Sequence, residues 1–152
     1  DHHHVKDEEV QQRQEEVFRE LLELAEELGK PVNVHSRDAE QKTIDILKKY
    51  DLPDVLIHCF NGTPSQAAEA VEEGMTIGVI TQVLYSSTVQ SIVEELDVKD
   101  IVLETDSPFL YRGERNEPLH VVESVEKIAE LKDVSRDEVV EATSLNAGRI
   151  FR

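Results

Sequence analysis

At 152 residues the chain is long enough for one domain of ordinary size. With 39% hydrophobic and 32% charged residues and no Trp, it suits a globular protein whose core is Val, Leu, Ile and Ala under a highly charged surface. The formal net charge of −17 excludes bulk attraction to a phosphate backbone. Any nucleic-acid chemistry must rest on metal ions or on a local basic patch.

Cys59 is the only cysteine, so no disulfide can form within the chain, which suits a reducing compartment. No run is apolar enough to cross a membrane, and no signal-peptide pattern opens the sequence. The expected location is the cytoplasm.

In chain order, residues 7–28 predict one amphipathic helix. Val10, Val17, Phe18, Leu21, Leu22, Ala25 and Leu28 recur at helical spacing as its inward face. Asp7 is the expected N-cap, and Gly29 stops the helix. A strand over 32–35 ends in His35, and a helix over 38–50 turns Ile44, Leu47 and Ala39 inward. A strand over 55–60 carries His58 and closes in Asn61-Gly62-Thr63-Pro64, a turn signal. Thr63 or Ser65 caps a helix through Glu73, and Gly74 ends it. A strand over 75–80 and a weakly helical segment over 87–96 follow. The last strand, 101–105, ends at Asp106, where Ser107-Pro108 forbids further regular pairing. After a polar loop over 107–118 comes a helix over 119–131, with Val122, Val125, Ile128 and Ala129 inward. Ser135 and Glu138 then form a capping box opening a final helix to about residue 150.

Strands alternating with helices predict an α/β fold with a parallel sheet, in one domain spanning 1–152. A parallel sheet brings its C-terminal strand ends to one edge, where such folds place their chemistry. His35, His58 and Asp106 all lie at those ends, and Glu104 shares the facing of Asp106. Imidazole and carboxylate suit a divalent zinc, manganese or magnesium ion. Such an ion lowers the pKa of its bound water and polarises a phosphoryl or carbonyl oxygen. Asp106 can then hold a metal or take a proton, and Glu104 can accept a hydrogen bond from an imidazole. The plain alternatives stand beside this: a strand-end histidine bonded to a loop, and an aspartate that only forms a turn. Arg37, Arg112 and Arg115 lie on loops of the same edge and suit either phosphate or the chain's own carboxylates. Cys59 reads as a small core residue, and His120 as a helix-start residue without ligand-like neighbours.

At these residues the sequence resembles the TatD family of metal-dependent deoxyribonucleases, among the amidohydrolase-like TIM barrels. Pro31-Val32-Asn33-Val34-His35-Ser36-Arg37 is similar to the family's strand ending in His-x-Arg. Ile57-His58-Cys59-Phe60-Asn61-Gly62 is similar to its His-Cys-Phe-Ser-Gly motif, with Asn61 in place of Ser. Leu103-Glu104-Thr105-Asp106-Ser107-Pro108-Phe109-Leu110, Arg115-Asn116-Glu117-Pro118 and the closing Thr143…Asn146…Ile150-Phe151 match its later signatures. The resemblance implies that His35 and His58 bind a metal, and that Asp106 binds the other metal of a two-metal site, or sits beside it, and acts as general base. It further implies that Arg37, Arg115 and Glu117 shape a phosphate pocket, with hydrolysis of DNA phosphodiester bonds by metal-activated water.

The family's His-x-His pair on its first strand and its bridging Glu before Gly-Leu-Asp have no counterpart here. His2, His3 and His4 follow no strand and are given no ligand role. Four strands fall short of the eight, in about 250 residues, that close a TIM barrel. The sequence therefore reads as the second half of such a barrel, with an open sheet edge and an uncovered apolar face. The expected consequence is association, with a second copy or with a chain supplying the missing half. Activity in this form is expected to be impaired or partner-dependent. Hydrolysis of a small ester, amide or lactone, or a non-catalytic associating chain, are the alternatives.

Overall fold

The structure, a computed structural model, describes residues 1–151. Asp7 accepts hydrogen bonds from Glu9 and Val10 N–H at 2.9 and 3.1 Å and so starts α1 (Glu8–Glu27). β1 (Val32–His35), α2 (Glu40–Leu47), β2 (Val55–His58), α3 (Pro64–Glu72), β3 (Thr76–Val79) and α4 (Ser87–Glu95) follow in alternation. β4 (Ile101–Leu103), α5 (Val121–Lys132) and α6 (Arg136–Ile150) complete the chain. Thr63, not Ser65, caps α3 in a capping box with Gln66, and Ser135 caps α6 with Glu138.

The sheet order is β1-β2-β3-β4, all parallel, and His35 lies directly opposite His58 in the register. Alternation divides the side chains between two faces. Val34, Val55, Ile57, Ile77, Val79 and Ile101 enter the main core with Ile44, Ala67, Ile92 and Ile128 of the helices. Each Val or Ile among them contributes roughly 1.5–3 kcal/mol. On the opposite face Leu56 and Val102 are covered by Ile150 and Ala147 of α6.

α6 also binds the sheet through polar bonds. Asn146 donates to the Ile101 carbonyl at 2.8 Å, and Arg149 reaches Thr76 Oγ1 at 2.9 Å and Asp54 at 2.8 Å. These partners lie at the N-terminal ends of the strands. The expected uncovered apolar face is therefore closed at that end, opposite the histidines.

Several expectations are corrected. α2 ends at Leu47, and β4 ends at Leu103. A 3-10 turn (Pro118–His120) precedes α5, leaving Leu119 75% exposed, and Val122 is also exposed. In α1 only Leu22 is buried, with Phe18 packed beside it, while Val10, Val17, Leu21 and Leu28 face outward. α1 lies beside α2, where Glu15 pairs with Lys42 at 2.6 Å, so one flank finds the core and the other is largely exposed. A groove of ≈580 Å³ lies along that flank, lined by Val10, Val17, Leu21, Ala39 and Ile46. A second, of ≈350 Å³, borders the other edge strand between α5 and α6, with Val102, Val122 and Val140. Leu22→Ala is expected to cost about 2–5 kcal/mol in urea unfolding. Leu24→Ala, at an exposed position, is expected to cost under about 1 kcal/mol; equal costs would contradict this docking of α1.

Candidate active site at the C-terminal strand ends

His35 and His58 leave neighbouring strands side by side, their ring centroids 5.8 Å apart. Glu104 follows β4 and crosses toward β2. One carboxylate oxygen is hydrogen-bonded to His58 Nδ1, and the other accepts from Cys59 N–H at 3.1 Å. With Nδ1 so engaged, His58 turns Nε2 toward Asp106, whose Oδ1 lies 3.6 Å away. His58 thus stands between two carboxylates, with a second imidazole beside it. Ligand-type atoms of His58, Cys59 and Asp106 all lie within 4.8 Å of one another.

The backbone takes unusual turns to achieve this. Cys59 (φ 49°), Asp106 (φ 58°) and Asp38 (φ 59°) all adopt the left-handed conformation just after β2, β4 and β1. Each costs roughly 1–2 kcal/mol relative to ordinary backbone, least for aspartate. Such residues concentrate where side chains must be aimed rather than packed.

Electrostatics separates the two histidines. The Glu104 hydrogen bond raises the pKa of His58 above its ordinary value. Burial, with His58 and Arg37 nearby, lowers that of His35, favouring its neutral form. Burial and the Asp106 and Glu104 carboxylates push the Cys59 thiol up to about 12, so it carries no reactive thiolate at neutral pH.

The structure brings together His35, His58, Glu104 and Asp106, and sets Arg37 beside them. Arg37 donates to Asp1 Oδ2 at 2.8 Å, and the same oxygen lies 3.0 Å from His35 Nε2. Arg112 is paired with Glu123 at 3.8 Å. Arg115 and Glu117 are exposed and make no hydrogen bond or ion pair with His35, His58 or Asp106 among the described residues.

The residue between them carries the structural role. Asn116, 1% exposed, donates through Nδ2 to Thr81 Oγ1 (2.8 Å), to the Phe109 carbonyl (2.7 Å) and to the Thr105 carbonyl. Thr81 Oγ1 in turn donates to the Leu110 carbonyl at 2.8 Å. These bonds hold the backbone on both sides of Asp106. His120 is more than a helix-start residue: it stacks on Tyr111 at 3.7 Å and meets Asn116 Oδ1 at 3.0 Å.

Thr81, Asn116 and the contact of Asp1 with His35 are not among the site features expected from the sequence. Asn116 carries a signal in its motif, where it stands between the charged Arg115 and Glu117. Thr81 carries none, because its partners are backbone carbonyls far along the chain.

The family model for TatD-related DNases matches residues 1–152. The chain belongs to the TatD-related DNase family. This TatD-family chain is 40% identical over 150 residues to an uncharacterized metal-dependent hydrolase of Methanocaldococcus jannaschii, covering 97% of this chain and 59% of that protein. It is 39% identical over 145 residues to deoxyribonuclease TATDN3 of Homo sapiens, covering 94% and 53% respectively. The chain thus spans about half the length of the curated relatives it matches. A TatD homolog of Escherichia coli K12 superposes with a TM-score of 0.84 at 30% identity, over 91% of this chain and 56% of that one. A hydrolase TatD family protein of Entamoeba histolytica gives a TM-score of 0.76 at 19% identity, over 97% and 58%, a likeness of fold. The parallel sheet alternating with helices is thus half of a TIM-barrel-like architecture.

Removing the Asn116 side chain in Asn116→Ala leaves the Phe109 carbonyl without its donor and the Thr105 carbonyl with only the 3.4 Å contact from Thr81 Oγ1. The expected cost is roughly 2–3 kcal/mol in urea unfolding. Hydrogen–deuterium exchange should speed up in residues 105–118, and unchanged exchange there would contradict the anchoring role.

Proposed function

We propose that this TatD-family chain is the C-terminal half of a hydrolase barrel and carries its half of a divalent-metal site for phosphodiester hydrolysis. The observation that carries this reading is His58 held between Glu104 and Asp106, beside His35 on the adjacent strand end. The donor set fits a divalent ion. His58 Nε2 and an Asp106 oxygen face one another, His35 is biased to its neutral form, and Nδ1 of His58 is already engaged. His35, His58 and Asp106 would hold the ion, which is zinc, manganese or magnesium. When bound, it supplies an acidified water and polarises a phosphoryl oxygen.

The chain's own residues do the rest. Glu104 fixes the His58 ring. Asp106 takes the proton of the attacking water as its oxygen bonds to phosphorus. The bond from phosphorus to the departing sugar oxygen breaks, and that oxygen collects the proton. Arg37 and Arg115 offer guanidinium groups to phosphate oxygens, with Glu117 shaping the pocket rim. DNA is the proposed substrate, as the name of the human relative states for that protein. The apolar grooves at β1 and β4 support association with a second copy or with a chain supplying the remaining strands. The lone cysteine fits a cytoplasmic setting.

A second reading, hydrolysis of a small neutral ester, is favoured by the net charge of −17 and by the engagement of Arg37 with Asp1. Size-fractionated protein with manganese, alone and with a complementary N-terminal half, should release nucleotides from single-stranded DNA. Asp106→Asn should lower that release by at least about 100-fold. Product from small esters alone would favour the second reading. No Asp106-dependent product from any fraction or substrate would overturn both and leave a chain that acts only by association.

A further inference from the structure

The contact between Glu104 and His58 must pass over a strand. β3 lies between β2 and β4, and neighbouring strands are about 4.8 Å apart, so the Glu104 carboxylate must extend over β3 to meet groups on β2. It crosses at Gly78. This residue pairs with Val102 on β4, and its carbonyl accepts from Phe60 N–H at 3.2 Å. A Cβ built on Gly78 would collide with Glu104 Oε1 and come within 2.9 Å of its Cδ. The next nearest atom, the Ile57 carbonyl oxygen at 3.1 Å, asks for a shift of only a few tenths of an ångström. Gly78 is not among the positive-φ glycines, so its backbone does not require glycine. Glycine in a strand interior weakens the strand, and here the only function visible for it is empty space.

We propose that Gly78 is a positioning residue for the active site. By lacking a side chain, it lets Glu104 lie across β3 with one oxygen on His58 Nδ1 and the other on Cys59 N–H. The imidazole is thereby fixed with Nε2 toward Asp106. That this orientation serves a metal rests on the function proposed above; the orientation itself does not.

The test compares Gly78→Ala, Glu104→Ala and the double variant in the 152-residue chain, first without metal. Imidazole NMR of the parent should show a strongly hydrogen-bonded, downfield His58 Nδ1 proton. Either single variant should lose it and shift the Cys59 amide. Gly78→Ala should raise the unfolding equilibrium constant at least tenfold in the parent and negligibly in the Glu104→Ala background. Manganese affinity should fall about tenfold in each single variant and no further in the double variant.

Retention of the downfield proton in Gly78→Ala, or the same loss of stability in both backgrounds, would overturn the proposal. If Gly78→Ala does not fold, a folded double variant supports the proposal and an unfolded one overturns it. If the NMR and stability pattern holds while no variant binds manganese, the positioning role stands and the metal reading fails.

Discussion

A carboxylate reaching across a strand to an imidazole sets the terms for the rest of this structure. Glu104 can meet His58 only if β2, β3 and β4 are parallel, adjacent and in this register. It further needs an empty place on β3, and a left-handed turn at Cys59 that points an N–H at the same carboxylate. Burial of Ile57, Ile77 and Ile101 on the far face fixes the register, because a one-residue slip would move them all to the wrong side. The hydrophobic core thus determines which way His58 faces.

The two ends of the sheet are used differently. At the N-terminal end α6 closes the floor with Ile150, and Arg149 ties it to Thr76 and Asp54. At the C-terminal end the loops hold titratable groups, and Asn116 and Thr81 spend their buried hydrogen bonds on the backbone around Asp106. Stability is concentrated at one end, and aimed, partly strained geometry at the other. The edges of the sheet belong to neither pattern. Their apolar grooves fit a fold whose relatives are nearly twice as long.

Much of this was legible in the sequence because it depends on local chemistry. Turn and cap residues such as Asp7, Gly29, Thr63 and Ser135 mark element ends wherever the chain goes. Strand ends carrying His35, His58 and Asp106 followed from alternation and from the parallel topology. Helical periodicity alone could not say which apolar residues of α1 find a partner, since that depends on how α1 lies beside α2. Asp1 was hidden for another reason: its contact with His35 spans 34 residues and has no periodic trace. Gly78 was hidden because a glycine's contribution is the space that a different residue occupies.

The proposed site has His35, His58 and Asp106 hold one cation. Anomalous diffraction from a zinc-soaked crystal of the chain tests it most directly. The predicted result is one peak about 2.0–2.2 Å from His58 Nε2 and from an Asp106 oxygen, with the His35 ring turned to it. A peak only at His2, His3 or His4, or none near Asp106, would contradict it.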